Sequence, residues 1–149
     1  MFINTGGEQT SSNGTRYDAD NNTSPFYISS VQHWAYSFSG DFLAVTANSS
    51  DYTKRVPCRI SNSETSLYDD ARLAPVSLNY YGFDLREGRY NVTLHFAEIV
   101  YDNDAFYNIL RKRLFDIYIQ VYMLTITYRS LMEFRYISNM PIMVVILFF

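Results

Sequence analysis

Cysteine is nearly absent from this chain of 149 residues, since Cys58 is the only one. A single thiol can form no disulfide within the chain and cannot build a cysteine-based metal site. The two histidines, His33 and His95, are isolated from each other in the sequence and do not form a ligand pair. We therefore expect neither a metal site nor a cofactor.

Basic residues are also few, with 12 Lys and Arg against 15 Asp and Glu, and the net charge is −3. The run from Arg111 to Arg113 is the only basic cluster, and it is typical of a solvated turn. No Lys/Arg stripe offers a surface for nucleic acid, so nucleic acid is not an expected partner.

Long apolar runs are missing as well. The run from Ile142 to Phe149 has eight residues, whereas a helix that spans a bilayer needs roughly 20. Met1 leads directly into polar sequence without the apolar segment of a signal peptide. The sequence thus predicts either a cytosolic chain or a piece of a longer secreted protein.

Aromatic residues, by contrast, make up 17% of the chain, with fourteen tyrosines and eleven phenylalanines. This composition is typical of one globular domain rather than of a disordered segment. Five N-x-[ST] sequons occur, and this number suggests passage through the secretory pathway, where such asparagines are glycosylated. They begin at Asn13, Asn21, Asn22, Asn48 and Asn91.

Short apolar alternations indicate β-strands. The segment from 6 to 24 is polar and favours turns, and aromatics between 26 and 42 favour short strands pinned by buried rings. Around Gly88, the sequence REGR predicts a hairpin turn that joins the strand near 76–80 to an alternating strand from Tyr90 to Phe96. LFDIYIQ, ending at Gln120, alternates in the same way. The pattern favours an all-β sandwich.

Five ordered motifs carry a family resemblance: FINTGGE, NGTRYDAD, WAYSFSGDFL, LYDDARLAPVSLNYYGFDLREGRYNVTLHFAEI and RLFDIYIQ. Together they resemble the malectin domain of plant leucine-rich-repeat receptor-like kinases over residues 2–120. The resemblance implies a jelly-roll-like β-sandwich of the galactose-binding type, placed outside the cell as part of a longer receptor. It also implies a non-catalytic module that binds a cell-wall oligosaccharide or another glycan.

The character of the sequence changes after Gln120. Residues 121–149 are predicted to be a tail outside the family, so that residues 2–120 form a partial malectin domain whose last strands are replaced. Such a sandwich would be incomplete at its C-terminus unless the tail substitutes.

Candidate sugar contacts are aromatic rings, which pack against the apolar face of a pyranose, and polar groups that bind its hydroxyls. Many of these rings could equally be core residues. The candidates are Tyr36, Tyr68, Tyr80, Tyr81, Glu98, Tyr101 and Asp102.

Catalysis is not expected, because no feature selects a pair of carboxylates for glycoside hydrolysis. The sequence contains none of the glycine-rich loop, V-A-I-K, H-R-D or D-F-G motifs of a kinase. Two alternatives to sugar binding stay open: a module that contacts other receptor ectodomains, and a truncated product without function.

Overall fold

The computed structural model describes residues 1–29, 31–40, 52–55, 66–86, 88–96, 113–120, 122–128, 132–138 and 143–148. Within these ranges the chain forms β-strands and a 3-10 turn at Ser66–Tyr68, which confirms the predicted all-β class. The strands are β1 (Ile3–Thr5), β2 (Thr10–Ser12), β3 (Thr15–Asp20), β4 (Phe26–Ser29), β5 (Trp34–Ser39), β6 (Thr53–Arg55), β7 (Asp70–Arg72), β8 (Ser77–Gly82), β9 (Tyr90–Phe96), β10 (Arg113–Ile119), β11 (Tyr122–Tyr128), β12 (Met132–Ser138) and β13 (Met143–Phe148).

The main sheet has six strands in the order β11-β10-β13-β8-β5-β4. Alternate residues of β5, β8 and β10 point to one face, which is the core. Trp34, Tyr36, Leu78 and Tyr80 form a buried cluster there, and Phe115, Ile117 and Ile119 of β10 are also buried. The period of two in these strands therefore separates a core face from an outer face, although Ala35 and Ser77 on the outer face are also buried.

A second layer is built from β9 and β12, which pair antiparallel over seven residues. Val92 of β9 is buried, and the ring of Phe96 lies 5.0 Å from that of Phe115 in the main sheet. These contacts between the two layers are those of a sandwich. Smaller sheets complete it: β1-β3-β2 and β6-β7.

The segment predicted as turns contains a tight hairpin. Asn13 and Gly14 both have positive φ, at 48° and 76°, and they join β2 to β3, with Ser12 paired to Thr15. Two positive φ angles are what a type I′ turn requires, and Asn-Gly adopts them at low cost. The turn was predicted, but the strands on either side of it were not.

The alternating segments Tyr90–Phe96 and LFDIYIQ are confirmed as strands β9 and β10. The hairpin predicted between β8 and β9 is wrong. Both edges of β8 are occupied, one by β5 and the other by β13, and β9 pairs with β12 instead. Asp84, with a φ of 54°, follows β8 at the point where the chain leaves the main sheet. REGR thus lies on a connection between layers.

Residues from the predicted tail also form strands. The backbone of β13 lies between β8 and β10, with Ile146 opposite both Leu78 and Ile117. The last strand of the chain is therefore a central strand of the main sheet, and β12 is the partner of β9.

Candidate functional site

A buried ion pair lies at the centre of the fold. Asp20 ends β3 and Arg72 ends β7, and both side chains are fully shielded from solvent. Arg72 donates from Nε to Asp20 Oδ2 at 2.9 Å and from Nη2 to Oδ1 at 2.8 Å. This two-point geometry is the strongest arrangement available to an arginine and a carboxylate.

Two further groups donate to the Asp20 carboxylate. The Tyr80 hydroxyl donates to Asp20 Oδ2 at 2.5 Å, and the Gly6 N–H lies 3.4 Å from the same oxygen. Gly6 can reach it because β1 and β3 run parallel with Thr5 opposite Asp20. The Asp20 carboxylate at the end of β3 thus binds residues of β7 and β8 and the glycine that follows β1.

Burial and charge determine the protonation of this cluster. Burial raises the pKa of the Tyr80 hydroxyl well above its ordinary value, and the nearby Asp20 adds to the rise. Burial lowers the pKa of Arg72, but the hydrogen bonds and charge of Asp20 outweigh it and raise that pKa. Arg72 therefore keeps its positive charge at neutral pH.

Tyr36 connects the ion pair to the segment after β3. Its ring lies under the Arg72 guanidinium, 4.0 Å from the ring centre, and its hydroxyl donates to the Ser24 carbonyl at 2.8 Å. Arg72 Nη2 also donates to the Asn22 carbonyl at 3.0 Å. These two hydrogen bonds hold the backbone of residues 21–24, which contain two overlapping sequons.

The predicted sugar contacts separate into groups. Tyr36 and Tyr80 are 1% and 9% exposed, so neither presents a ring face to solvent. Tyr81 lies on the opposite face of β8, half-buried, with its hydroxyl 3.3 Å from Ser37 Oγ. Glu98, Tyr101 and Asp102, like the sequon residue Asn48, lie outside the described residues.

Tyr68 is brought next to β9. Its hydroxyl lies 3.0 Å from Nδ1 of His95, and the two rings meet edge to face at 6.2 Å. His95 is exposed and Tyr68 is half-buried. Because Glu98 follows His95 by three positions, the chain leads from this pair directly into the other predicted contacts. Of the predicted contacts, Tyr68 thus lies beside an exposed histidine, which was not itself among the predicted contacts.

Sequence reasoning missed Asp20 and Arg72. Each closes a short strand in which burial does not alternate cleanly, and 52 residues separate them. Without a period or a local motif, only the pairing of distant strands brings them together.

The described residues contain no group of three or more His, Cys, Asp or Glu side chains arranged to hold a metal ion. In the same part of the chain, no helix is long and apolar enough to cross a membrane.

Comparison with known proteins places the chain in a family. The model of the malectin domain matches residues 1–128. The chain belongs to the malectin domain family. The match extends past Gln120, where the family part was predicted to end, and the assignment of residues 121–149 to a tail stays a prediction.

Relatives of this malectin domain are receptor-like kinases. Three probable leucine-rich repeat receptor-like serine/threonine-protein kinases of Arabidopsis thaliana are 39%, 42% and 38% identical to it over 125, 122 and 128 residues, each match covering 80% of this chain. The chain covers 12%, 12% and 13% of their respective lengths. It spans only a small part of each relative. No solved structure matches it.

Proposed function

We propose that this malectin domain is a non-catalytic carbohydrate-binding module from the ectodomain of a receptor-like kinase. Its ligand is a cell-wall oligosaccharide or another glycan. The observation that carries the proposal is the Tyr68–His95 pair, which lies on the surface of a malectin-family fold where β9 leads toward Glu98, Tyr101 and Asp102.

The chemistry of this pair suits a sugar. An aromatic ring packs against the C–H face of a pyranose, and because Nδ1 of His95 is bonded to Tyr68, its Nε2 is the ring nitrogen that can donate to or accept from one sugar hydroxyl. Their mutual hydrogen bond of 3.0 Å holds both rings in place before a ligand arrives. We propose that Glu98, Tyr101 and Asp102 add polar and aromatic contacts from the adjoining segment.

A binding role without catalysis also agrees with the use of the buried carboxylate. Asp20 is enclosed by Arg72, Tyr80 and Gly6, so it is not available as an acid or base toward a substrate. The serine/threonine kinase named for the relatives belongs to those longer proteins, and the motifs of a kinase do not occur in this sequence.

We place the domain on the extracellular face of the plasma membrane, within a longer receptor. Support comes from the sequons, because the side chains of Asn13, Asn21, Asn22 and Asn91 are all exposed. A glycan attached at any of them would extend into solvent without disturbing the core. We propose these four positions, with Asn48, as glycosylation sites.

Binding to a glycan array, followed by titration calorimetry with the best ligand, tests the proposal. Tyr68→Ala and His95→Ala should each weaken binding by about tenfold, the loss of one good contact. Tyr17→Ala is the matched control, since it removes a half-buried tyrosine of β3 that packs on Phe2 instead. A cooperatively folded protein that binds no glycan on the array would refute the proposal.

A protein-interaction role is the alternative, and one observation favours it. Val31 is 81% exposed and Phe83 is 40% exposed. In the sequence they lie close to His33 and Asp84, whose side chains are 2.7 Å apart. If Val31 and Phe83 contact another receptor ectodomain, Val31→Asp will abolish that complex in surface plasmon resonance, and the protein will bind no glycan on the array.

A further inference from the structure

The outer face of the main sheet differs from an ordinary solvated surface. It is formed by the residues of β4, β5, β8 and β10 on the side opposite Trp34, Tyr36, Leu78 and Tyr80: Phe26, Ile28, Ala35, Ser37, Ser39, Ser77, Asn79, Tyr81, Asp116 and Tyr118. Ala35 and Ser77 are themselves buried. Asp116 is the only charged residue among them, whereas protein surfaces typically carry about a quarter or more of charged side chains. The face combines neutral hydroxyl and amide groups with aromatic rings.

Four of these positions fall into one row across the sheet. Phe26 is opposite Ser37, and Ser37 is opposite Asn79. Asn79 is opposite Val145, whose other partner is Tyr118. The row crosses five strands, so its ends are about 19 Å apart at the usual strand spacing. An aromatic residue lies at each end, and Ser37, Asn79 and Val145 lie between them.

Hydrogen bonds fix the polar centre of the row. Asn79 Nδ2 lies 3.3 Å from the Ser37 carbonyl and 3.4 Å from Ser77 Oγ. Ser77 Oγ in turn lies 2.6 Å from Ser39 Oγ. The amide of Asn79 is therefore held in one orientation, with its Oδ1 accepting no hydrogen bond from the described residues. A ligand hydroxyl can donate to that oxygen without displacing a hydrogen bond from the part of the chain that the structure describes.

We propose that this row binds a linear, neutral oligosaccharide that lies across the strands. Phe26 and Tyr118 supply ring platforms at the two ends, and Asn79 and Ser37 bind hydroxyls in the middle. A pyranose unit in an extended chain is about as long as the spacing between strands, so the row accommodates about four units. The inference takes its ligand class from the proposed function, but its surface is distinct from the Tyr68–His95 site.

The length of the ligand provides the first test. Titration calorimetry of the full chain with linear β-1,4-linked glucose oligomers of about two to six units should show affinity that rises up to about four units and then levels off. Xylose oligomers of the same lengths serve as a second series. Equal affinity at every length in both series, or no binding of either, would overturn the inference.

Variants provide the second test. Phe26→Ala and Tyr118→Ala should each weaken binding of the longer oligomers about tenfold. Ile28→Ala is the matched control, since Ile28 is on the same strand and 66% exposed against 64% for Phe26, but it lies opposite Ala35, outside the row. If Tyr118→Ala fails to fold, Phe26→Ala on the exposed edge strand still decides the question.

His95→Ala separates the two proposals. Binding that depends on Phe26 but not on His95 supports the row and counts against the Tyr68–His95 site. Binding that depends on His95 but not on Phe26 overturns the row and leaves the proposed function in place. Light scattering tests whether the face instead joins two copies of the chain. If the protein binds no oligomer and forms a dimer that Phe26→Ala dissociates, the inference is overturned.

Discussion

Replacing Asp20 by asparagine should be among the most damaging conservative changes in this protein. The amide has the shape of the carboxylate, but it turns one of the two acceptor oxygens into a donor. Oδ1 accepts from Arg72 Nη2, and Oδ2 accepts from Arg72 Nε, Tyr80 and Gly6. In either orientation an N–H of the introduced amide would therefore face an N–H of Arg72, and the guanidinium would remain buried without a counter-charge.

The magnitude follows from the burial of the pair. Both side chains are 0% exposed, and removing one partner of such a pair costs about 3–5 kcal/mol. That is a large part of the roughly 5–15 kcal/mol that stabilises an ordinary domain. Urea unfolding measures the loss directly. Trp34, the only tryptophan, provides the fluorescence signal because it is fully buried and 6.3 Å from the Tyr80 ring.

Two variants calibrate the measurement. Tyr80→Phe removes one hydroxyl from the same carboxylate and should cost about 1.5–3 kcal/mol, the contribution of a hydrogen bond to a charged group. Asp84→Asn alters the exposed pair with His33 and should change the free energy of unfolding by less than about 1 kcal/mol. If Asp20→Asn costs no more than Asp84→Asn, the ion pair does not stabilise the fold as argued.

Two further predictions concern glycine and pH. Gly6→Ala should lower the melting temperature far more than Gly14→Ala. Both glycines have positive φ, which costs alanine about 1–2 kcal/mol. A Cβ at Gly6 would also lie 2.3 Å from the Ala71 carbonyl carbon, whereas a Cβ at Gly14 would have no described atom within 4 Å. Equal shifts in melting temperature would contradict this close approach at Gly6. Burial raises the pKa of Tyr36 from 10.0 to about 12 and that of Tyr80 well above 10.0, so the unfolded chain loses these protons first as the pH rises. The free energy of unfolding should therefore be unaffected by these tyrosines below about pH 10 and should fall between about pH 10 and pH 12. Each tyrosine contributes a slope of about 1.4 kcal/mol per pH unit, and Tyr36→Phe should make the alkaline decline in urea unfolding shallower; an unchanged slope would contradict the assignment.

The sequence predicted the elements whose burial alternates. In β9 and β10, apolar residues recur at every second position because one face meets the core, and this local pattern sufficed to place both strands. The connection between β8 and β9 could not be predicted in the same way. A turn signal shows that the chain bends, but it does not show whether the next strand has a free edge to join, and here β13 and β5 occupy both edges of β8.

The site was predictable only where residue type and surface position agree. Tyrosine suits both a sugar platform and a core, so sequence alone could not separate Tyr36 and Tyr80, which are buried, from Tyr68, which reaches the surface beside His95. Burial depends on which distant strands pair. The same holds for Arg72, a residue type usually found on the surface, whose burial is compensated by Asp20.

This division between core and surface tyrosines determines how binding experiments must be designed. Changes at Tyr36 or Tyr80 remove contacts to the Asp20–Arg72 pair and to the segment after β3, so they will reduce any activity by destabilising the fold. Such a loss would resemble the loss of a sugar contact in an assay that measures binding alone. Changes at Tyr68, His95 or Phe26 leave that pair intact, so these positions can report on ligand recognition separately from folding.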